Sequence, residues 1–302
     1  MQAEATFDAM GSVAHVLVVG PDASAHIDWV RTRLAQLEAR WTRFSPTSEL
    51  SELNEAAGRP VVVSADTYRL IDHATTAWER TNGRYNPTLL HALTALGYDR
   101  TFADIDHPVS PMGTTSAGSV AAIDLSPGLN AVTLPAGTGI DPGGIGKGLA
   151  ADILTEELLA RSASGAMVNL GGDIRTAGAP PNGAAGWTIS VTDPFDPDSE
   201  LLRIEIPGGA VATSSRLHRQ WVTADGDRLH HILDPVTGQP IDNDIAAVTV
   251  VAGEAWWAEA LTKAVFASGV EDGLDQLRSA SGVIVDVNGT RHATPDLEVA
   301  LR

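Results

Sequence analysis

Between Ile140 and Gly148 the chain reads Ile-Asp-Pro-Gly-Gly-Ile-Gly-Lys-Gly, and the following LAADILTEELLA carries helical spacing, with Ile153, Leu154 and Leu158 on the inward side. Four glycines and one lysine thus sit where a loop turns into a helix. Glycine lets backbone amides come close to a ligand with no Cβ in the way, and a helix start carries partial positive charge. Lys147 adds a full charge. The order is not that of a GxxxxGK[ST] phosphate loop, because Gly148 follows the lysine. A closely packed turn and an anion site both satisfy this pattern.

The segments on either side set the fold class. Thr6 to Val19 reads as an opening strand ended by Gly20-Pro21, followed by a helix from Asp22 with Ile27, Val30, Leu34, Leu37 and Trp41 on one face. A short helix fits SELSELN. A second long helix fits Ala65 to Arg80, with Tyr68, Ile71, Ala74 and Trp78 on one face and Asn82-Gly83 as its stop. Ala103 to Gly118 is rich in Pro, Gly, Ser and Thr and reads as an exposed connection. Strands follow near 120–125, 131–134, 166–170, 187–191, 202–206, 210–213, 230–233, 246–251 and 282–287, with a helix at Glu254 to Ser268. Strands in hairpin-like clusters, not followed one by one by helices, predict an α+β fold over a doubly wound parallel sheet.

With 38 Asp and Glu against 20 Lys and Arg, the net charge of −18 argues against sequence-independent nucleic-acid binding. An anionic ligand needs a locally positive pocket. The chain has no cysteine, hence no disulfide, thiolate metal site or acyl-anchored end. No run of 18 apolar residues is present, so no membrane span is expected, and MQAEATFDAMGS lacks the pattern of a secretion signal. The expectation is a cytoplasmic protein.

Three further segments carry chemistry. In NLGGDIRTAG, paired glycines after an apolar strand imply close backbone packing or a ligand contact, and Asp173 suits a turn cap as well as a site. In HHILDPVTGQPI, adjacent histidines on a strand point to opposite faces, and a carboxylate three residues after His231 could orient a base. In AWWAEALTKAVFASG, Glu259 and Lys263 stand four apart in the order of a favourable ion pair, on a helix whose other residues are mostly apolar.

Taken in order, FDAMGS, SELSELN, GRYNPTLLHALTALGYDR, IDPGGIGKGLAAD, MVNLGGDIRTAG, AVATSS, HHILDPVTG and AEALTKAVFASG resemble the ApbE family of FAD:protein FMN transferases nearly end to end. The resemblance implies an ApbE-like, T-fold-like α+β fold with mixed sheets and flanking helices. It implies one domain over 1–302, with lobes of about 1–118 and 119–302 and an FAD cleft between them. It further implies FAD as substrate, Mg²⁺, and transfer of FMN to a Thr or Ser hydroxyl of an acceptor flavoprotein with release of AMP. By position, Met10 matches a methionine near the flavin, Leu53 and Asn54 the adenosine-side contacts, and Asn86 a cleft position where many members have Asp. Asp141 and Lys147 match FAD contacts, with Lys147 at the diphosphate, and the Gly144 carbonyl matches a magnesium ligand. Thr213 and Ser214 match a Thr-Ser-Gly turn whose glycine is here Ser215. His231 matches the base for the acceptor hydroxyl, and Ile232 a flavin contact.

The departure lies in the metal-binding helix. The family pattern is Asp followed four residues later by Thr, both magnesium ligands; here those positions hold Glu259 and Lys263. A protonated lysine has no acceptor for a metal. Three outcomes follow. Lys263 pairs with Glu259 and stands in for the metal; the metal shifts towards Glu259; or FAD binds without transfer. The function implied is FMN transfer; the alternatives are an FAD pyrophosphatase giving FMN and AMP, in which water replaces the acceptor, and a non-catalytic FAD-binding protein.

Overall fold

A computed structural model describes residues 1–113 and 115–298. The strands and helices in chain order are β1 (Gln2–Ala9), β2 (Ser12–Val19), α1 (Ala23–Trp41), α2 (Glu49–Glu55), β3 (Val61–Val62), α3 (Ala65–Arg80) and α4 (Leu90–Ala95). Next come β4 (Asp124–Ser126), β5 (Ala131–Thr133), α5 (Gly146–Ala160), β6 (Gly165–Leu170), β7 (Asp173–Gly178), β8 (Trp187–Asp193) and β9 (Asp196–Ile206). The chain closes with β10 (Gly209–Ser215), β11 (Gln220–Val222), β12 (Arg228–His230), β13 (Ile245–Ala252), α6 (Ala255–Gly273), β14 (Ser281–Asp286), β15 (Arg291–Ala293) and α7 (Pro295–Glu298). The mixture is the α+β class that the strand clustering predicts.

Two compact units emerge, both discontinuous in sequence. One comprises residues 1–38, 145–215 and 244–302, the other 39–144 and 216–243. This differs from lobes divided near residue 118. The N-terminal strands cannot belong to a separate first half, because β2 pairs along its length with β6. The end of the expected 1–302 domain, residues 299–302, lies outside the described residues.

The first unit is built on an eight-stranded antiparallel sheet in the order β1-β2-β6-β7-β10-β13-β14-β15. The opening segment is a hairpin and not one strand: Ala9 pairs with Ser12, leaving Met10 and Gly11 as a two-residue turn with φ of 51° and 64°. Positive φ at both positions is the primed turn that suits the strand twist, usually signalled by Asn-Gly and not by Met-Gly. Gly171 and Gly172 make the corresponding turn between β6 and β7, also at positive φ. The paired glycines therefore serve a hairpin.

Side chains alternate across this sheet. Val211, Ile174, Val283 and Val285 meet the apolar face of the β8–β9 hairpin, including Trp187, Ile189 and Ile204. On the other face α5 packs on β6 and β7, α6 packs on β10 and β13, and the two helices pack on each other. Both helices are buried nearly all round, which suits elements enclosed between a sheet and one another. Gly148 permits their approach, since a Cβ there would run into the carbonyl of Ala255. The second unit has α2 and α3 over the sheet β3-β5-β4, with Leu50, Leu53, Ile71, Val132 and Leu134 in its core. The buried face of α3 is Thr67, Leu70, Ile71, Ala74 and Ala77, so Tyr68 and Trp78 flank it. A second cluster joins α4 to the β11–β12 hairpin through Leu93, Leu96, Tyr98 and Trp221. Among the described residues no helix is long and apolar enough to cross a membrane.

If Gly148 serves helix packing, Gly148→Ala forces α5 and α6 apart. Urea denaturation is expected to show a loss of about 1–3 kcal/mol, the usual penalty of overpacking. An unchanged midpoint would mean that the close approach is unimportant.

Candidate active site

Glu259 on α6 is wholly buried and takes partners from two helices. Its Oε2 accepts the Gly148 amide of the first turn of α5 at 2.8 Å. Its Oε1 lies 3.4 Å from Lys147 Nζ and 3.6 Å from Lys263 Nζ. The positive start of α5 thus faces a carboxylate of the protein itself. Lys147 also pairs with Asp173 at the start of β7, a carboxylate only 1% exposed. Asp173 follows the Gly171-Gly172 turn, and its Oδ1 is buried with no hydrogen-bond partner among the described residues. It thus pairs across to α5 and is not simply a cap of its own turn.

The exposures are asymmetric. The Lys147 and Lys263 side chains are 16% and 20% exposed, while Asp173 and Glu259 are 1% and 0%. The cluster buries its acids, while both lysine side chains keep a minor part of their surface exposed. It is also no solvated i,i+4 pair on a helix surface, because the acid has no exposed surface at all.

These side chains do not fit Mg²⁺. Two lysines and two acids sum to no net charge, so a divalent ion gains no overall attraction to set against its reluctant dehydration. At an effective dielectric of about 20, a divalent ion 4 Å from an ammonium is repelled by about 8 kcal/mol, and Oε1 has two such neighbours. Among the described residues no group of three or more His, Asp or Glu could hold a metal. Gly144, whose carbonyl was expected to ligate, sits in the turn preceding α5.

The platform beneath Glu259 is set by Asp152 on α5. Its Oδ1 and Oδ2 accept the Ala255 and Trp256 amides at 3.0 and 2.8 Å, capping α6 from a neighbouring helix. Arg175 on β7 pairs with it at 3.0 Å. Burial pushes the Asp152 carboxyl up to about 7, against the two amides and Arg175, which favour the charged form. Thr262 ties α6 to the sheet, donating to the Glu259 carbonyl at 2.7 Å and sharing a 2.7 Å hydrogen bond with Ser214. Thr213 points to the opposite face and bonds Thr249 at 2.9 Å. Ser215 lies in β10 paired with Ala247, so this position needs no glycine.

In the other unit, Asn54 clamps the backbone of Ile140, donating to its carbonyl at 3.0 Å and accepting its amide at 2.8 Å. Asp141 accepts the Gly143 amide at 2.8 Å and pairs with buried Arg43 at 2.7 Å. Leu53 is a core side chain with no exposed surface, so any ligand contact it makes is through its backbone. Asn86 accepts from the Thr88 amide and donates to the Pro235 carbonyl at 3.1 Å, the second of which an ionised Asp could not do.

The two histidines separate. The strand ends at His230, and His231 lies in the bend beyond it. His230 Nδ1 accepts the Ile232 amide at 3.3 Å, which makes Nε2 the protonated atom at 3.1 Å from the Ile241 carbonyl. Burial holds its pKa below the ordinary value, with Arg216 adding to the effect. Asp234, the suggested orienting carboxylate, is turned to its own loop: its Oδ1 accepts the Val236 and Thr237 amides at 3.0 and 2.7 Å. His231 is half-buried and Ile232 buried. Met10 is half-buried in its positive-φ turn, a conformation that bulky residues keep only where the surroundings impose it.

Residue pattern alone assigns no definite site role to Asp173, Asp152 or Thr262. Each is a polar residue inside an apolar or glycine-rich run, a pattern as common in caps and turns as in sites.

The model of the ApbE family matches residues 10–285, and the chain belongs to this family. An FAD:protein FMN transferase of Treponema pallidum (strain Nichols) is 32% identical, aligned over 91% of this chain and 81% of its own. One from Klebsiella pneumoniae (strain 342) is 30% identical over 86% of this chain and 82% of its own. Among solved structures, the ApbE protein of Thermotoga maritima is 26% identical with a TM-score of 0.87 over the whole of both chains. The flavin transferase ApbE of Vibrio cholerae, 22% identical over 100% of this chain and 99% of its own, shares the fold with a TM-score of 0.82.

Asp152 gives a pH test. Its pKa is raised on folding, so the folded state holds a proton that the unfolded state releases between about pH 4 and about 7. Stability therefore falls as pH rises through that window and levels off above it. Urea midpoints measured across it are expected to show a shallower fall for Asp152→Asn, by up to one proton in the slope. Identical slopes would show that Asp152 is not the titrating group.

Proposed function

We propose that this chain is an FAD:protein FMN transferase that moves FMN from FAD to a Thr or Ser hydroxyl of an acceptor flavoprotein. The observation that carries the reading is the pair of partly exposed lysines, Lys147 at the start of α5 and Lys263 on α6, beside buried acids in a chain of this family. A diphosphate undergoing substitution needs charge neutralised on its oxygens, and Lys147 is the residue assigned to it. The acceptor hydroxyl oxygen bonds to the flavin-side phosphorus, the bridging P–O bond breaks, and its electron pair leaves with AMP. The hydroxyl proton passes to His231. His230 is unsuited to that role, since both of its ring nitrogens are spent on backbone groups.

Met10, Asn54, Asn86, Asp141, Gly144 and Ile232 are the positions assigned to FAD, with Leu53, Thr213 and Ser214 acting through backbone or as support. Glu259 organises the lysines. The Mg²⁺ of the family pattern, with Gly144 and Glu259 as ligands, has no step in this proposal.

The test is to incubate the purified protein with FAD, with and without a flavoprotein acceptor bearing a Thr or Ser site. AMP release with FMN esterified to the acceptor is expected. Free FMN in its place would identify a pyrophosphatase. His231→Ala is expected to slow AMP release about 10²–10⁴-fold, the usual worth of a general base. His230→Ala is expected to reduce stability instead. Equal rates for His231→Ala and the parent chain would remove His231 from the mechanism.

A further inference from the structure

We propose that Lys263 and Lys147 together form a two-ammonium site that takes the diphosphate of FAD without a divalent cation. The proposal rests on FAD being the ligand. It goes further by assigning Lys263 to the substrate and by removing the metal from the binding event.

The geometry points this way from three sides. Lys263 Nζ and Lys147 Nζ approach the same atom, Glu259 Oε1, at 3.6 and 3.4 Å, so the two cations are neighbours across one oxygen. Like charges so close repel unless opposite charge holds them, and the buried pair Glu259 and Asp173 does so from beneath. The acids are buried while both lysine side chains keep some exposed surface, so of these four groups only the cationic side chains can be reached by a ligand. In a chain of net charge −18 such an arrangement is a local exception.

The position of Lys263 on α6 is not adaptable. The helix is fixed at its start by Asp152 and in its middle by the bond between Thr262 and Ser214. Glu259 is fixed in turn by the Gly148 amide. The frame fixes the root of the Lys263 side chain, and the charge of Glu259 3.6 Å away holds its ammonium on the same side as Lys147. A metal ion brought to Oε1 would have to displace both ammoniums.

The experiment measures binding first and turnover second. Mn²⁺ alone is titrated into the chain and into Lys263→Thr, followed by the electron paramagnetic resonance of free Mn²⁺. FAD affinity is then measured by flavin fluorescence in EDTA and in millimolar Mg²⁺. The parent chain is expected to leave Mn²⁺ free and to bind FAD equally well in both media. Lys263→Thr is expected to bind FAD about 10- to 100-fold more weakly in EDTA, the worth of one charge-assisted contact. It should recover affinity when metal is supplied. Lys263→Arg, which keeps the charge beside Glu259, should retain metal-independent binding and serves if the threonine variant does not fold.

Mn²⁺ uptake by the parent chain, FAD binding that needs Mg²⁺, or unchanged affinity in folded Lys263→Thr would each overturn the proposal. FAD bound tightly in EDTA but never cleaved, with any acceptor, would uphold the two-ammonium site while defeating the transferase reading.

Discussion

A buried glutamate is the constraint around which the unit built on the eight-stranded sheet is arranged. Glu259 has no exposed surface, and an ionised carboxylate in that setting is tolerable only with charged and hydrogen-bonding partners in place. Two lysines and a helix-start amide supply them. Meeting this demand requires α5 and α6 to run close together, which is why glycine occupies position 148. It also requires Lys147 to be shared with Asp173, which links the helix pair to the turn between β6 and β7. Removing one partner of such a buried set typically destabilises by about 3–5 kcal/mol, because the remaining charge is stranded. The chemistry and the packing are therefore not separable here.

The frame extends one layer further through Asp152. Glu254, at the cap position of α6, makes no capping hydrogen bond with its own side chain, so the buried amides of that helix start depend on a carboxylate from α5. Asp152 is in turn paired with Arg175, which projects from β7 on the same face as Asp173. Alternation along that strand places both charged residues against the helices, and Ile174 between them against the β8–β9 hairpin. One short strand thereby serves the site and the opposite core at once.

Much of this arrangement is legible in the residue pattern alone. Helices with an apolar stripe or a clear stop, such as Ala65–Arg80, fall where their spacing puts them, and the glycine-rich entry does begin α5. The β1–β2 hairpin is not legible, because Met10-Gly11 takes the conformation that Asn-Gly usually announces. Nor is β7, whose DIRTAG mixes two charged residues into a strand enclosed on both faces; those charges make sense only once Lys147 and Asp152 are opposite them. Glu259 and Lys263 stand out as a pair four apart, but spacing alone describes an exposed ion pair equally well. Burial separates the two cases, and burial depends on the partners that the fold brings from elsewhere in the chain.

The same reasoning bears on why a strongly acidic protein can address an anionic substrate. Long-range charge would repel a dinucleotide diphosphate, and salt screens that effect beyond about 8–10 Å. What remains is the local field. There the acids are buried while the two lysine side chains keep some exposed surface, and under the two-ammonium proposal the sign met at contact is opposite to that of the whole molecule. The Thr that the family pattern has four residues after the acid would leave that field to an exchangeable ion, whose occupancy follows its concentration. Lysine attaches a charge covalently to α6, where no exchange can remove it, and under that proposal charge neutralisation at the diphosphate is tied to the fold itself.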